Sequence, residues 1–432
     1  MYETKNSLVF EFFLIALIII TPLFYGSVLF LPSSLLQIVI LVLFLVFLLG
    51  KVNSSLPKIS YPNGNIFFLL FIAVAIFQLL PLPYLLLKLF SHQTAQFYQK
   101  YLTDFSHRSF YSLSVCSLST KQELVKLIAF YSVFIIILNT IEKKRQFERL
   151  FLAIIFWAVV LSLYGIIRKY FILEKEISES FSVFGNRNHF AGFMEMVAPL
   201  TLGYAFYCKN RAKKFVFGFM ATIIYVSVFL SLSRAGSLSL IFSLILMVYF
   251  LKRDWVIQEK YWVLVTGIIL VVILLSVVGI EPIKYRFASL KEGFLQRLAI
   301  FKDSYRLMKD FPSFGIGLGN FQFVFSSYLS FFSEGYYFYP HNDYIQIITE
   351  TGLIGFLLFI LFLFQVFKTI LKRLFTRQDP FARSMVMGGI CGLFSVLLHS
   401  LADFNLHIPA IYFLFWLILG LIYKCVFSSF RK

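Results

Sequence analysis

This sequence predicts an all-α polytopic membrane protein, with about twelve transmembrane helices and one large hydrophilic loop that contains short helices. Three observations carry the prediction. Hydrophobic residues make up 59% of the 432 and charged ones only 14%, and mean hydropathy is +0.83, outside the range of soluble domains. The apolar residues form continuous runs of about 17 to 25, the helical length that crosses a bilayer core of roughly 30 Å. More than half of the 39 Lys and Arg residues fall in short segments that share one side if the N-terminus is inside and the spans alternate. Lys143, Lys144, Arg145 and Arg149 form one such group, and Lys209, Arg211, Lys213 and Lys214 another. The net charge of +18 is thus a topology signal, and nucleic acid is not an expected partner. Runs that are apolar throughout, without alternation, exclude a β-barrel.

Spans are expected near 8–30, 34–50, 65–87, 122–139, 149–167, 188–207, 214–231, 235–251, 261–280, 345–367, 384–401 and 409–427. The first run, Leu8 to Ile20, lacks a small-residue cleavage site and reads as a retained helix. An even number of spans leaves both termini inside. The segment Lys88 to Lys121 mixes aromatics with His92, His107 and Arg108 and reads as helix lying on the membrane surface. Cys116, Cys208, Cys391 and Cys425 are scattered and form no CxxC, so neither a disulfide framework nor a thiolate metal site is indicated.

The polar residues that remain gather in a few outer segments. Arg168 to Arg187 is acidic in the middle, with Glu174, Glu176 and Glu179, and ends in Val183-Phe184-Gly185-Asn186-Arg187-Asn188-His189. Gly185 and Asn186 suit a tight turn, and Asn188 suits a helix cap. Arg187, Asn188 and His189 together form a polar cluster at the mouth of a span. Glu195, about two turns further on, is expected to pair with an arginine. Arg234 sits in a very short outer turn, Ser231-Leu232-Ser233-Arg234-Ala235-Gly236, where it cannot serve as an inside-positive anchor.

The longest outer segment runs from Glu281 to Tyr344 and includes Arg286. Loops of this length without an obvious fold of their own are often functional. Phe294, Leu298, Phe301, Tyr305 and Met308 fall at helical spacing, predicting an amphipathic helix with those residues as its apolar face. Lys302, Arg306 and Lys309 flank the stripe, while Arg297 stands apart on the other side beside Ser304. Gly315, Gly317 and Gly319 lack the strand–turn–helix setting of a nucleotide loop and read as an irregular turn able to offer N–H groups to an anion. His341-Asn342-Asp343 immediately precedes the next span, with Asn342 or Asp343 placed to cap it. All six histidines, at 92, 107, 189, 341, 399 and 407, fall on the outer side or its rim.

The residue types narrow the chemistry. No HExxH or equivalent zinc pattern occurs, and no metal or other cofactor is expected. A paired-carboxylate hydrolase site and a GxSxG elbow are both missing. Arginine suits phosphate, since its planar fork binds two oxygens and stays charged when desolvated. Arg187, Arg234 and Arg297 could clamp a diphosphate, leaving His341 to activate an acceptor hydroxyl. Asn188, His189 and Asn342 stand as further substrate-binding residues.

Several of these pieces together resemble the O-antigen ligase and polymerase superfamily of bacterial envelope glycosyltransferases. They are Phe184-Gly185-Asn186-Arg187-Asn188-His189-Phe190-Ala191-Gly192, Ser233-Arg234-Ala235-Gly236, Arg297 leading to Phe311-Pro312-Ser313-Phe314-Gly315-Ile316-Gly317-Leu318-Gly319-Asn320-Phe321, His341-Asn342-Asp343-Tyr344, and Thr351-Gly352-Leu353-Ile354-Gly355. The resemblance spans roughly residues 180 to 410 and keeps the family's order. It implies three regions: N-terminal helices over 1–180, a ligase-like core over 181–410 including a periplasmic loop 281–344, and a last helix and tail over 411–432. It further implies metal-independent, inverting transfer of glycan from undecaprenyl diphosphate at the periplasmic face of the bacterial inner membrane. Arg234 and Arg297 would bind the diphosphate and His341 would activate the acceptor. That acceptor is lipid A-core, another glycan or a protein hydroxyl, so a ligase, a polymerase and a protein O-oligosaccharyltransferase all fit. From another class, a transporter of lipid-linked sugars or anions could use the same arginines for binding. No internal repeat supports that reading, and ionisable residues gather at span ends.

Overall fold

A computed structural model of the protein describes residues 2–52, 58–169, 180–253, 290–332 and 335–428, with scattered positions between 265 and 276. The expected span at 261–280, Arg286 and the acidic run Glu174 to Glu179 lie largely or wholly outside the described residues.

The chain is helical almost throughout. In order come α1 (Tyr2–Ile20), the five-residue α2 (Leu23–Ser27), α3 (Phe30–Val52), α4 (Asn65–Leu79), α5 (Tyr84–Phe90), α6 (His92–Tyr101), α7 (Ser117–Thr140), α8 (Lys144–Ile167), α9 (Arg187–Tyr207), α10 (Arg211–Leu230) and α11 (Arg234–Arg253). After the break follow α12 (Leu290–Asp310), α13 (Phe321–Phe325), α14 (Asp343–Leu374), α15 (Pro380–His399) and α16 (Pro409–Phe427). Eight of these are long and apolar enough to cross a membrane, and shorter apolar helices at Ser7–Ile20 and Asn65–Leu79 accompany them. The fold is an all-α polytopic membrane bundle.

Several helices start where the sequence supplies a cap. Asn186, Asn210, Asn342 and Asp379 accept backbone N–H bonds at the starts of α9, α10, α14 and α15, satisfying donors the helix itself cannot reach. Pro380 and Pro409 occupy first-turn positions, where the missing N–H costs nothing.

α9, α15 and α16 form the centre, each buried along nearly its whole length. Glycine lets α9 and α15 touch backbone to backbone: a Cβ on Gly388 would stand 2.6 Å from the Pro199 carbonyl oxygen, and one on Gly392 2.3 Å from that of Met196. Small residues at such crossings are how apolar helices pack closely where lipid supplies no hydrophobic drive. Around this centre lie α7, α8, α10 and α11, with α1, α3 and α4 further out.

Between α4 and α7, α5 and α6 are framed by a two-stranded ribbon, β1 (Leu82–Pro83) before them against β2 (Phe110–Tyr111) after them, antiparallel with Leu82 opposite Tyr111. This segment is fastened to the large loop. The Val115 N–H donates to the Ile316 carbonyl at 3.1 Å, and the Ser119 and Thr120 hydroxyls donate to the carbonyls of Gly319 and Leu318, each at 2.7 Å.

The glycine-rich turn is a splice into α14. Gly352, at φ 66°, breaks that helix in two, and the Leu353 N–H donates to the Pro312 carbonyl at 2.8 Å through the gap. A Cβ at Gly352 would lie 2.2 Å from the Ser313 carbonyl oxygen, so only glycine fits on both conformational and steric grounds. The N–H groups of Gly319 and Phe321 donate to the Glu350 carboxylate at 2.7 and 3.2 Å. The turn does present amides to an anion, as its glycines suggested, but the anion is the protein's own side chain.

The large-loop helix differs from its expected facing. Phe294, Leu298 and Tyr305 are exposed on α12, while Ile300, Asp303, Ser304 and Leu307 are buried. The helix carries two apolar rows, and packing against Phe311, Ile316 and Phe321 selects the row through Ile300 and Leu307. Arg297 continues this buried row one turn earlier, at i−3 from Ile300 and i−7 from Ser304.

Candidate active site

At one end of the bundle the starts of α9, α11 and α14, the end of α15 and the turn between α15 and α16 bring their polar residues together. Asp403, 1% exposed, is the hub. Its Oδ2 accepts a hydrogen bond from Asn188 Nδ2 at 2.5 Å, and its Oδ1 accepts the Phe404 N–H at 2.9 Å. His341 Nδ1 lies 3.5 Å from Asp403 Oδ1, an ion-pair separation longer than a made hydrogen bond. Burial alone would raise the Asp403 carboxyl. The His341 contact and the charges on His399 and His189 outweigh it and hold the group well below the usual carboxylate range.

Asn188 links this hub to the short turn before α11. Ser233 Oγ donates to Asn188 Oδ1 at 2.8 Å and accepts the Gly236 N–H at 3.3 Å. Arg234 is the next residue, half-buried at the start of α11. Its guanidinium is close enough to that of Arg297 for the two charges to repel, and Arg297 acts in the same way on His399. Arginines at a helix mouth carry the planar fork that suits phosphate oxygens.

His341 is the strained member. Its φ of 54° is unusual for a residue with a side chain, and strain of this kind is found where surrounding contacts over-determine a functional position. The next residue fixes it: Asn342 Oδ1 caps α14 through the Tyr344 and Ile345 N–H groups at 2.9 and 3.0 Å, and Nδ2 donates to the Leu401 carbonyl at 2.8 Å. With Nδ1 turned to Asp403, Nε2 is the nitrogen left to meet a substrate.

His341 and His189 both line a cavity of about 1050 Å³. His189 is 7% exposed and its Nε2 has no partner. The rings of both pack on Phe404, at 5.2 and 5.3 Å between centroids. Arg234 and Arg297 do not line this cavity; Arg234 follows Ser233, whose hydroxyl bonds Asn188. Arg187 is half-buried at the first turn of α9. Among the described residues no group of three or more His, Cys, Asp or Glu is arranged to hold a metal ion.

Residues 215–360 match a family model described as O-antigen ligase. That match supports the resemblance to the O-antigen ligase and polymerase superfamily over about a third of the chain. Among curated proteins none matches the chain significantly. The matched segment carries Arg234, Arg297, His341 and the Gly352 splice, while Asn188, His189 and Asp403 lie outside it. The match is to a family of membrane ligases and polymerases.

Of the residues singled out in sequence, Arg234, Arg297, Asn188, His189 and His341 converge on this end. Asn342 is committed to capping and to Leu401, which leaves its side chain little for a ligand. Asn188 is not a cap, because Asn186 Oδ1 takes that role by accepting the Asn188 N–H at 2.8 Å; the Asn188 amide is thereby free to bridge. Glu195 pairs with His399 rather than with an arginine, Nδ1 to Oε1 at 3.1 Å, both side chains fully buried. Asp403 and Phe404 were missed. Their only sequence signal was a carboxylate between His399 and His407 in the last outer turn.

Proposed function

We propose that this ligase-family protein transfers a glycan from undecaprenyl diphosphate to an acceptor hydroxyl at the periplasmic face of the inner membrane, with inversion and without a metal. The acceptor oxygen attacks the anomeric carbon, and the bond from that carbon to the diphosphate oxygen breaks. The diphosphate departs with the electron pair, and the acceptor proton passes to His341 Nε2. Arg234 and Arg297 neutralise the charge gathering on the leaving group, an interaction that strengthens toward the transition state. Asp403 orients the imidazole and stabilises the imidazolium, as a carboxylate does behind any histidine base. The single observation that carries this reading is the backbone-strained His341, backed by Asp403 and joined through Asn188 to the turn that bears Arg234.

The test is a transfer assay with purified protein, undecaprenyl-diphosphate glycan and a choice of lipid A-core, a second glycan or a hydroxyl-bearing protein. Transfer should survive EDTA and be lost in Arg297→Ala and His341→Ala proteins that still fold. Full activity in both variants removes the proposed site, and the preferred acceptor separates ligase, polymerase and protein glycosylation.

A further inference from the structure

The wall that carries His341 carries a second imidazole with a carboxylate behind it. His407 lines the same cavity, with its side chain 14% exposed. Its Nδ1 lies 2.8 Å from Asp343 Oδ1, the length of a made hydrogen bond, and Asp343 is 1% exposed. The other carboxylate oxygen, Oδ2, accepts the Leu406 N–H at 3.0 Å. Tyr339 packs on the His407 ring at 5.0 Å between centroids and on Phe404 at 4.5 Å. His407 lies outside the matched family segment and outside every motif that carries the resemblance.

The two pairs are crossed. The segment entering α14 supplies His341 and Asp343, and the turn between α15 and α16 supplies Asp403 and His407. Each histidine meets the carboxylate of the other segment, like two rungs between the same rails. The rungs are unequal. At 3.5 Å the contact of His341 with Asp403 is too long to fix anything, and the φ of 54° at His341 is a conformation its neighbours must impose. Two bonds fasten the near half of the turn: the Asp343 N–H donates to the Ser400 carbonyl at 2.9 Å, and Asn342 Nδ2 to that of Leu401 at 2.8 Å. The far half is fastened by the Asp343 carboxylate, through Leu406 and His407. Asp403 therefore stands between two fixed points, both tied to the segment that bears His341. Catalytic groups work only when held to within about 0.5 Å of their productive geometry.

We propose that His407 is a positioning residue: by gripping Asp343 it fixes the separation of His341 from Asp403, and it does not itself take the acceptor proton. The inference rests on the reading of His341 as the base.

His407→Ala and His407→Asn decide it, each compared with wild type in lipid nanodiscs. Asparagine still offers an N–H to Asp343 but cannot accept a proton. The Leu406 bond survives in all three proteins, which should elute alike on gel filtration. In the transfer assay with the acceptor varied, His407→Ala should lower kcat by roughly tenfold, the scale of a misplaced catalytic group, with KM little changed. His407→Asn should recover most of that loss. An asparagine variant as slow as the alanine one would make His407 a base in its own right and overturns the proposal, as does a full rate in His407→Ala. The double variant His407→Ala/Asp403→Asn should be no slower than the slower single one, because both changes act through one imidazole; losses that multiply overturn it.

A second readout needs no substrate. Diethylpyrocarbonate modification of His341, mapped by mass spectrometry, should be faster in His407→Ala and return to the wild-type rate in His407→Asn, and equal rates in all three overturn the proposal. The two readings fail separately. If wild type transfers nothing, the enzyme reading ends while the labelling contrast still tests the tie. If His407→Ala matches wild type in both rate and labelling, the tie is discarded and the enzyme stands.

Discussion

Glu350 and Asp403 are two buried carboxylates at the same end of the bundle, 1% exposed each, and their surroundings are opposite in kind. Glu350 is gripped by fixed donors, the backbone N–H groups of Gly319 and Phe321, with Gln346 Nε2 at 3.1 Å. Asp403 is met by one backbone N–H, that of Phe404, and by two side chains, Asn188 and His341, and of the imidazoles near it His189 Nε2 and His399 Nε2 have no hydrogen-bond partner. Buried polar atoms are paired in nearly all cases. Of these two residues, His189 lines the cavity beside His341, where a ligand can reach it. The first carboxylate ties the 312–320 turn to α14, and the second stands beside His341, the base proposed above.

Variants can break that division. The largest effect is expected at the Asp403 cluster: His341→Ala should lower the transfer rate by about 10²–10⁴-fold, the usual worth of a general base, with the melting curve in detergent unmoved. Next comes Glu350→Ala, which orphans two backbone donors and should cost about 3 kcal/mol of stability. It should be read as a lower melting temperature, with the rate per folded molecule kept. If Glu350→Ala instead kills activity at unchanged stability, the division is wrong. Asp403→Asn should slow transfer by about tenfold by loosening His341. It also carries a pH signature. Asp403 is depressed in the folded state, so its stabilisation is present above the ordinary aspartate value of about 3.9 and fades as pH falls through the depressed one. The asparagine variant should lose that acid-side dependence. The smallest change is Asn186→Ala, a lost cap worth about 1 kcal/mol, measured as a modest drop in melting temperature with transfer intact.

Much of this division was hidden in the sequence for a physical reason. The spans were legible because apolar length reports directly on bilayer thickness, and α3, α7, α8, α10, α11 and α16 lie close to their expected positions. The arginines and His341 drew notice in sequence because charge at a span mouth is costly and conspicuous. The facing of α12 was not, because two apolar rows compete and only tertiary packing chooses between them. Nor was the partner of Glu195, since His399 lies 204 residues away in sequence. The glycines at 315, 317, 319 and 352 signalled tight backbone; what approaches Gly315 and Gly352 is other backbone, and what approaches Gly317 and Gly319 is chiefly the side chains of Asn320 and Glu123, facts that exist only once the chain has folded.

The break at Gly352 separates two lengths of helix with different neighbours. The 32 residues of α14 would run to about 48 Å as one rod, well over the roughly 30 Å of a hydrocarbon core. Cut at Gly352, the longer piece matches the bilayer and the shorter becomes a turret that carries His341 at its tip, bolted to the 312–320 turn. Both pieces are tied to that turn at the joint, and a thinner or thicker membrane is expected to tilt the far end of the lower piece more than the turret. Turnover measured in bilayers of graded acyl length should accordingly stay flat, and a steep dependence would show that the joint transmits the strain instead of absorbing it.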